Sequence, residues 1–242
     1  MRLDQELVYR GLCKTRTEAQ ELIELGAVFV NNFVCLKQIK QILPTDIIEV
    51  TSRRQFVSRG GVKLQGILRD VFLTDEESAV ELAGKNALDV GSSTGGFTDC
   101  LLFYGVAHVD AVDVGTLQLH EKLRSDVRVM LYENTDIRDF KTSEPYDVVV
   151  ADVSFIPLTH VFDDCMRFGT QGTMYFLLIK PQFEVGKGNT KKGIVKDEEL
   201  VTRVLDEYTT LAQAKGLSGV QIFPCHVAGG DGNQEYFLYG RK

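Results

Sequence analysis

The sequence predicts an α/β chain in which a mostly parallel sheet of seven strands, its last strand antiparallel, follows a small α+β domain. Three observations lead there. From residue 86 onward, short apolar runs alternate with helix-periodic segments, the pattern of a sheet covered on both faces. One run, Asn86-Ala-Leu-Asp-Val-Gly91, ends in the glycine-rich turn Ser92-Ser-Thr-Gly-Gly-Phe-Thr98 and opens into a helix, which is the first unit of a Rossmann-like sheet. The final two runs, 220–227 and 234–239, are joined by Ala228-Gly-Gly-Asp-Gly-Asn233, too short for a crossover helix, so they form an antiparallel hairpin.

Length and composition allow both domains. A chain of 242 residues with 44% hydrophobic residues buries a full core. The net charge of -7 argues against nonspecific coating of nucleic acid, but it is uneven: residues 1–60 carry +2 and the rest -9. Five scattered cysteines without a Cys-x-x-Cys pair, and four scattered histidines, signal neither a disulfide framework nor a metal site. Arg2, Asp4, Glu6 and Arg10 interrupt any secretion signal, and no apolar run is long enough to cross a bilayer. A cytoplasmic protein without stable membrane association is expected.

The first fifty residues read as helix, helix, hairpin, strand. Thr15 and Glu18 have capping-box spacing, Ala19, Leu22 and Ile23 line one face, and Gly26 suits a left-handed helix end. Asn31-Asn32 between two apolar runs marks a tight turn. The segment RLDQELVYRGLCKTRTEAQELIELGAVFVNN resembles the alpha-L, S4-type RNA-binding module, an alignment that covers residues 2–50. That resemblance implies phosphate contacts by Arg2, Lys14 and Arg16, which would position RNA without reading its sequence.

Residues 51–60 then read as a basic linker, with Arg53, Arg54 and Arg59, the last a further candidate RNA contact. Gly60-Gly61 permits either a bend or close backbone approach before a helix through Leu64, Ile67 and Leu68. From spacing alone, Lys63 flanks a flexible hinge.

The turn after Asn86-Ala-Leu-Asp-Val-Gly91 is a nucleotide-type site. Glycines let backbone approach a ligand, and the helix start offers unpaired amides. Ser93 stands where the dinucleotide fingerprint needs glycine, which counts against NAD. Asp89 either orders the loop or faces the amino acid part of the cofactor. Asp113, about twenty residues on, ends the next run and suits ribose hydroxyls. Asp136 follows the third strand and is either an adenine contact or a turn residue. The antiparallel ending resembles the seven-stranded methyltransferase sheet, whose cofactor is S-adenosyl-L-methionine.

Charges at strand ends point to the chemistry. Asp152 follows the fourth strand, Lys180 closes Leu177-Leu-Ile-Lys180, and Glu235 opens the last strand, at the edge where such sheets bind ligands. The position after the fourth strand reads Ala151-Asp-Val-Ser-Phe-Ile-Pro157, unlike base amino-methyltransferases, and Cys225 reads as core, not as a nucleophile.

The segments FVSRGGVKL, LDVGSSTGGFTDCLL, VVADVSFIPL, LLIKPQFE, KGIVKD and GNQEYFL together resemble the TlyA family of ribosomal RNA 2'-O-methyltransferases, often labelled haemolysins. In that family an S4-type module precedes an FtsJ-like methyltransferase domain, here expected at 1–50 and 61–242. The resemblance implies a catalytic tetrad of Lys63, Asp152, Lys180 and Glu235, and cofactor contacts at Gly91, Ser93, Thr94, Gly95, Gly96, Phe97 and Asp113. It also implies ribosomal RNA or ribosomal subunits as partners and a cytidine as acceptor. Two other readings stand beside it: a membrane-active haemolysin, and an RNA-binding protein with an inactive methyltransferase fold. Lys187, Lys191, Lys192 and Lys196 form a basic loop that either clamps RNA phosphates or is merely solvated.

Overall fold

A computed structural model describes residues 1–24, 27–31, 33–35, 37–50, 56–186, 188–229 and 232–242. Gly26, Asn32, Arg53, Arg54 and Lys187 lie outside the described residues.

Helices α1 (Leu3–Tyr9) and α2 (Arg16–Glu24) precede a small antiparallel sheet of β1 (Val28–Val30), β2 (Phe33–Val34) and β3 (Ile48–Val50) in the order β2-β1-β3. Its core joins Leu3 and Leu7 of α1 to Ala19 and Ile23 of α2 and Val28 and Val30 of β1. The expected capping box is present. Thr15 Oγ1 accepts from the Glu18 amide at 3.1 Å, and Glu18 reaches back to the Lys14 amide at 2.7 Å, one residue beyond the usual partner.

The second domain takes in residues that the sequence places in the linker: Phe56 is buried in its core, and α3 (Arg59–Phe72) already starts at Arg59. There follow α4 (Asp75–Leu82), β4 (Asn86–Val90), α5 (Gly96–Phe103), β5 (His108–Val112), α6 (Glu121–Arg124), β6 (Val129–Tyr132) and β7 (Tyr146–Ala151). After β7 come α7 (Phe162–Arg167), β8 (Gly169–Ile179), α8 (Pro181–Glu184), α9 (Glu198–Ala214), β9 (Ser218–Pro224) and β10 (Tyr236–Arg241). The seven strands lie in the order β6-β5-β4-β7-β8-β10-β9. All neighbours are parallel except β10, which runs antiparallel to both β8 and β9, so the predicted terminal hairpin is present with its last strand inserted inside the sheet.

Both sheet faces are covered, which is why β7 and β8 carry the apolar runs 148–151 and 174–179. One face packs Leu64 and Leu68 of α3 and Leu101 of α5 against Val148, Phe176 and Phe237. The other packs Phe162 of α7 and Tyr208 and Ala212 of α9 against Val149, Leu177 and Leu238. Each buried Val, Leu or Phe among them contributes about 1.5–3 kcal/mol by leaving water. Gly60-Gly61 is a close approach and not a hinge. A Cβ on Gly61 would strike the Phe56 ring, and one on Gly96 would strike Ser58 Oγ and come within 2.8 Å of the Gly61 amide nitrogen. The glycines let the start of α3 press onto the start of α5, which carries Lys63 to the strand ends.

Candidate active site

The site lies beyond the carboxyl ends of β4, β5 and β7. Strand order reverses about β4, leaving a crevice where loops diverge to either side. At its floor, Gly91 takes φ +79, and a Cβ there would come within 2.8 Å of the Asp152 carbonyl oxygen, so the turn after β4 touches the end of β7. Ser93 also adopts a left-handed conformation, at φ 47, in the position where a dinucleotide fold has glycine. Gly95, at φ +91, faces Leu119 and Leu123, and Phe97 is buried beside Phe237 with ring centroids 5.8 Å apart. Gly95 and Phe97 therefore shape the loop from behind, while Ser93 and Thr94 are exposed at its front.

Asp89 is buried beneath the loop. Its Oδ2 accepts from the Thr98 amide at 3.0 Å and the Thr98 hydroxyl at 2.6 Å, whereas Oδ1 has no partner among the described residues. Burial, reinforced by the charges of Asp152 and Asp113 and partly offset by the Thr98 hydrogen bonds, pushes its pKa up to about 7. Ser92 Oγ is a second buried atom of the same loop with no hydrogen-bond partner among the described residues.

Two cavities open from this floor and share Gly91, Ser93, Asp152 and Ser154. The larger, about 400 Å³, has Asp113 and Asp136 among apolar walls of Val114, Ile137 and Ile156. Asp113 accepts from the Ser93 and Gly115 amides, each at 2.7 Å, which fixes its carboxylate at the rim. Asp136 is a turn residue: it accepts from the Arg138 amide and guanidinium, and the Arg138 hydrogen bonds hold its pKa down to about 2. The smaller cavity, about 230 Å³, is walled by Arg59, Lys63, Asp89, Ser92 and Asp152.

Of the four residues of the expected tetrad, Lys63 and Asp152 line this cavity, and Lys180 and Glu235 pair with them. Lys63 Nζ donates to Glu235 Oε2 at 2.5 Å. Lys180 Nζ lies 2.6 Å from Asp152 Oδ1 and donates to Ser154 Oγ at 2.6 Å. Lys180 and Glu235 are only 8% and 2% exposed. Burial alone would lower the Lys63 pKa, but the charges of Asp152 and Glu235 more than offset it and hold the ammonium form. Gly229 makes room for Glu235, since a Cβ there would lie 2.5 Å from Oε1. Cys225 packs in the core, and burial pushes its thiol far up, as expected of a structural cysteine.

The N-terminal basic residues gather elsewhere, on the small domain. Arg2 and Arg16 both donate to Asp4, a fully buried carboxylate that also accepts from Gln20 at 3.1 Å. This anchors the two guanidinium groups side by side. Lys14 is exposed two residues before Arg16, while Arg59 is exposed on the rim of the smaller cavity.

The sequence reading missed several residues of the site. Ser154 and Gln182 bond Lys180 and Glu235, at 2.6 and 3.4 Å. Phe155, at φ 68 and 89% exposed, stands at the mouth against Phe183. Glu184, its pKa raised by burial, accepts from the Leu158 amide at 2.8 Å and so holds the loop that follows Asp152. Arg167 gathers the carbonyls of Ile137, Arg138 and Phe140. Ser154 and Phe155 lie in the segment VVADVSFIPL, and Gln182 and Glu184 in LLIKPQFE, but their roles arise from tertiary contacts, as does that of Arg167.

A Rossmann-like sheet with an inserted antiparallel last strand and a glycine-rich turn after its first strand defines the methyltransferase class. The FtsJ-like methyltransferase family matches residues 56–242, and the S4 domain matches residues 1–48. The protein named 16S/23S rRNA (cytidine-2'-O)-methyltransferase TlyA in Mycobacterium tuberculosis is 40% identical over 247 residues, spanning 99% of this chain and 89% of that protein. Hemolysin A of Brachyspira hyodysenteriae is 36% identical over 244 residues, 99% of both chains. A solved structure of a protein named as a hemolysin from Streptococcus thermophilus matches with a TM-score of 0.71 and 32% identity, covering 100% of this chain and 88% of the other. The chain is an FtsJ-like methyltransferase and belongs to the TlyA family.

Proposed function

We propose that this enzyme transfers a methyl group from S-adenosyl-L-methionine to a ribose 2'-hydroxyl of ribosomal RNA, at a cytidine. The observation that carries the reading is the convergence of two lysine–carboxylate pairs, Lys63 with Glu235 and Lys180 with Asp152, on a cleft whose floor holds an unpartnered buried carboxylate oxygen. That oxygen, Asp89 Oδ1, and Ser92 Oγ suit an amino acid head group, and Asp113 at the rim of the larger cavity suits ribose hydroxyls. The donor-binding set is Asp89, Gly91, Ser93, Thr94 and Asp113 in contact, with Gly95, Gly96 and Phe97 shaping the loop and Asp136 bordering the base. The residues present fit the donor.

The bound donor supplies an electrophilic methyl group on a sulfonium. The chain supplies orientation and charge. Lys63, kept as an ammonium by Asp152 and Glu235, stabilises the negative charge that develops on the 2'-oxygen. Lys180 Nζ, reacting as the neutral amine, takes the hydroxyl proton, and Asp152 and Ser154, both at 2.6 Å, hold the ammonium that results. Phe155 offers an exposed aromatic face on which an unstacked base can rest. Arg2, Lys14, Arg16 and Arg59 contact phosphates, with Asp4 fixing two of the guanidinium groups in advance.

Among the described residues no helix is long and apolar enough to cross a membrane. A ribosomal RNA acceptor sets the cytoplasm as the place of work and ribosomal subunits as partners. Mapping 2'-O-methyl groups in ribosomal RNA from cells with and without the gene tests the reading. Loss of methylation at one or two cytidines supports it, and an unchanged map overturns it.

A further inference from the structure

The segment between α8 and α9 carries a feature that the methyl-transfer chemistry does not use. Lys191 and Ile194 exchange both backbone hydrogen bonds, N to O at 2.9 and 3.2 Å, which makes Lys192-Gly193 the centre of a two-residue turn. Both central residues have positive φ, 53 and 78, as in a type I′ turn. Asparagine and glycine favour those positions, and a lysine in the first of them holds a backbone conformation that its side chain disfavours. Lys192 is exposed, so no packing accounts for its choice.

A buried amide fixes where the turn sits. Asn233, 2% exposed, donates from Nδ2 to the Gly193 carbonyl at 2.8 Å and accepts at Oδ1 from the Val195 amide at 3.0 Å. Its own carbonyl accepts from the Gly229 amide at 2.8 Å. One side chain thus ties the turn to the loop that delivers Glu235, two residues further on, to Lys63. Lys191 and Lys196 flank the tip, and none of the three lysines has an ion-pair partner among the described residues.

We propose that Lys192 is a phosphate contact for the RNA strand beside the acceptor ribose, presented by a strained turn that Asn233 staples to the rim of the active site. The inference rests on the RNA methylation reading and adds a specific contact to it. A single ammonium on a short, fixed turn recognises a phosphodiester by charge and not by base sequence, so its contribution is screened by salt.

Lys192→Asn separates structure from recognition, because it installs the Asn-Gly pair that the turn prefers while removing the charge. Binding of a ribosomal RNA transcript is measured across a salt series, with thermal melting and methyl transfer to unmethylated ribosomal subunits in parallel. The variant is expected to melt at or above the wild-type temperature, to raise the KM for RNA about 3–10-fold with kcat within about twofold, and to flatten the slope of log affinity against log salt by roughly 0.7–0.9. Lys192→Arg should restore KM. An unchanged KM and salt slope in Lys192→Asn would overturn the inference, as would a variant that loses both affinity and thermal stability, since the lysine would then serve the fold. Lys180→Ala run alongside distinguishes the two levels: if it retains turnover, the underlying methyl-transfer assignment fails; if it is inactive and Lys192→Asn behaves as wild type, only this contact fails.

Discussion

Lys63 and Glu235 stand 172 residues apart in the chain and meet at 2.5 Å, one from the first helix of the larger domain and the other from the approach to its last strand. Neither is a surface ion pair, because Glu235 is almost wholly buried and Lys63 nearly so. Removing the carboxylate therefore leaves a buried ammonium with Asp152 as its remaining carboxylate neighbour among the described residues. Glu235→Gln is expected to lower the single-turnover rate of methyl transfer about 100-fold, the scale of losing one oriented electrostatic group. Donor affinity by calorimetry should stay within a few-fold. A rate near wild type would show that Glu235 is only a structural counter-ion.

Lys180 gives a sharper expectation. Its side-chain nitrogen lies 2.6 Å from both Asp152 Oδ1 and Ser154 Oγ. Lys180→Ala should abolish transfer of a labelled methyl group while donor affinity again stays within a few-fold. Near-normal turnover would remove Lys180 from the chemistry.

Asp89 sets a pH dependence whose sign follows from its raised pKa of about 7. An aspartate in the unfolded chain titrates near pH 4, so between about pH 4 and 7 the native protein keeps a proton that the unfolded chain has lost. Its contribution to stability is greatest below that window and is lost as pH rises through it. Asp89→Asn should therefore melt higher relative to wild type at pH 8 than at pH 5. Binding of a cationic amino acid head group favours the carboxylate, so S-adenosyl-L-methionine binding at pH 6.5 should release part of a proton. Calorimetry in buffers of different ionisation enthalpy measures that release, and none in wild type would detach Asp89 from the donor.

Gly96 tests the packing of α3 on α5. Gly96→Ala puts a methyl group against Ser58 Oγ, which can rotate away, and against the backbone of Gly60 and Gly61, which cannot yield cheaply. Urea unfolding should show a loss of about 1–3 kcal/mol, the usual cost of overpacking. Because the same displacement moves Lys63, kcat should fall as well.

Arg167 stands behind the larger cavity and collects three carbonyls of the turn 137–140, at 2.7, 3.2 and 2.8 Å. Releasing that turn loosens Ile137 and Asp136, which line the cavity. Arg167→Ala should weaken S-adenosylhomocysteine about tenfold by calorimetry, equivalent to about 1.4 kcal/mol, while kcat at saturating donor holds. Unchanged affinity would show that the turn keeps its shape unaided.

The fold was legible wherever burial on both faces left a long apolar signature, as in β7 and β8, and where a short connection forced a topology, as between β9 and β10. Ends were less so. The eleven residues of β8 begin at Gly169, four before the apolar run that announces the strand. In the site, Asp89, Asp113, Asp152 and Lys180 could be placed because each closes or adjoins a strand, and strand ends converge. Lys63 could not: spacing alone made its glycine neighbours a hinge, whereas Phe56, Ser58 and Gly96 pack against that pair. Only its resemblance to a family motif brought it forward. Asn233, Glu184 and Arg167 act through hydrogen bonds to backbone far away in sequence, a kind of partnership that no local pattern encodes.

The insertion of β10 between β8 and β9 bears on how the enzyme is made. During translation, every other strand leaves the ribosome before the one that must slot between two of them. Until it does, β8 and β9 each expose an unpaired edge, and Lys63, synthesised long before, waits without its carboxylate. A nascent chain can thus hold a formed donor loop around Gly91 well before it can transfer a methyl group. Competence arrives in one step, with the strand that completes the sheet.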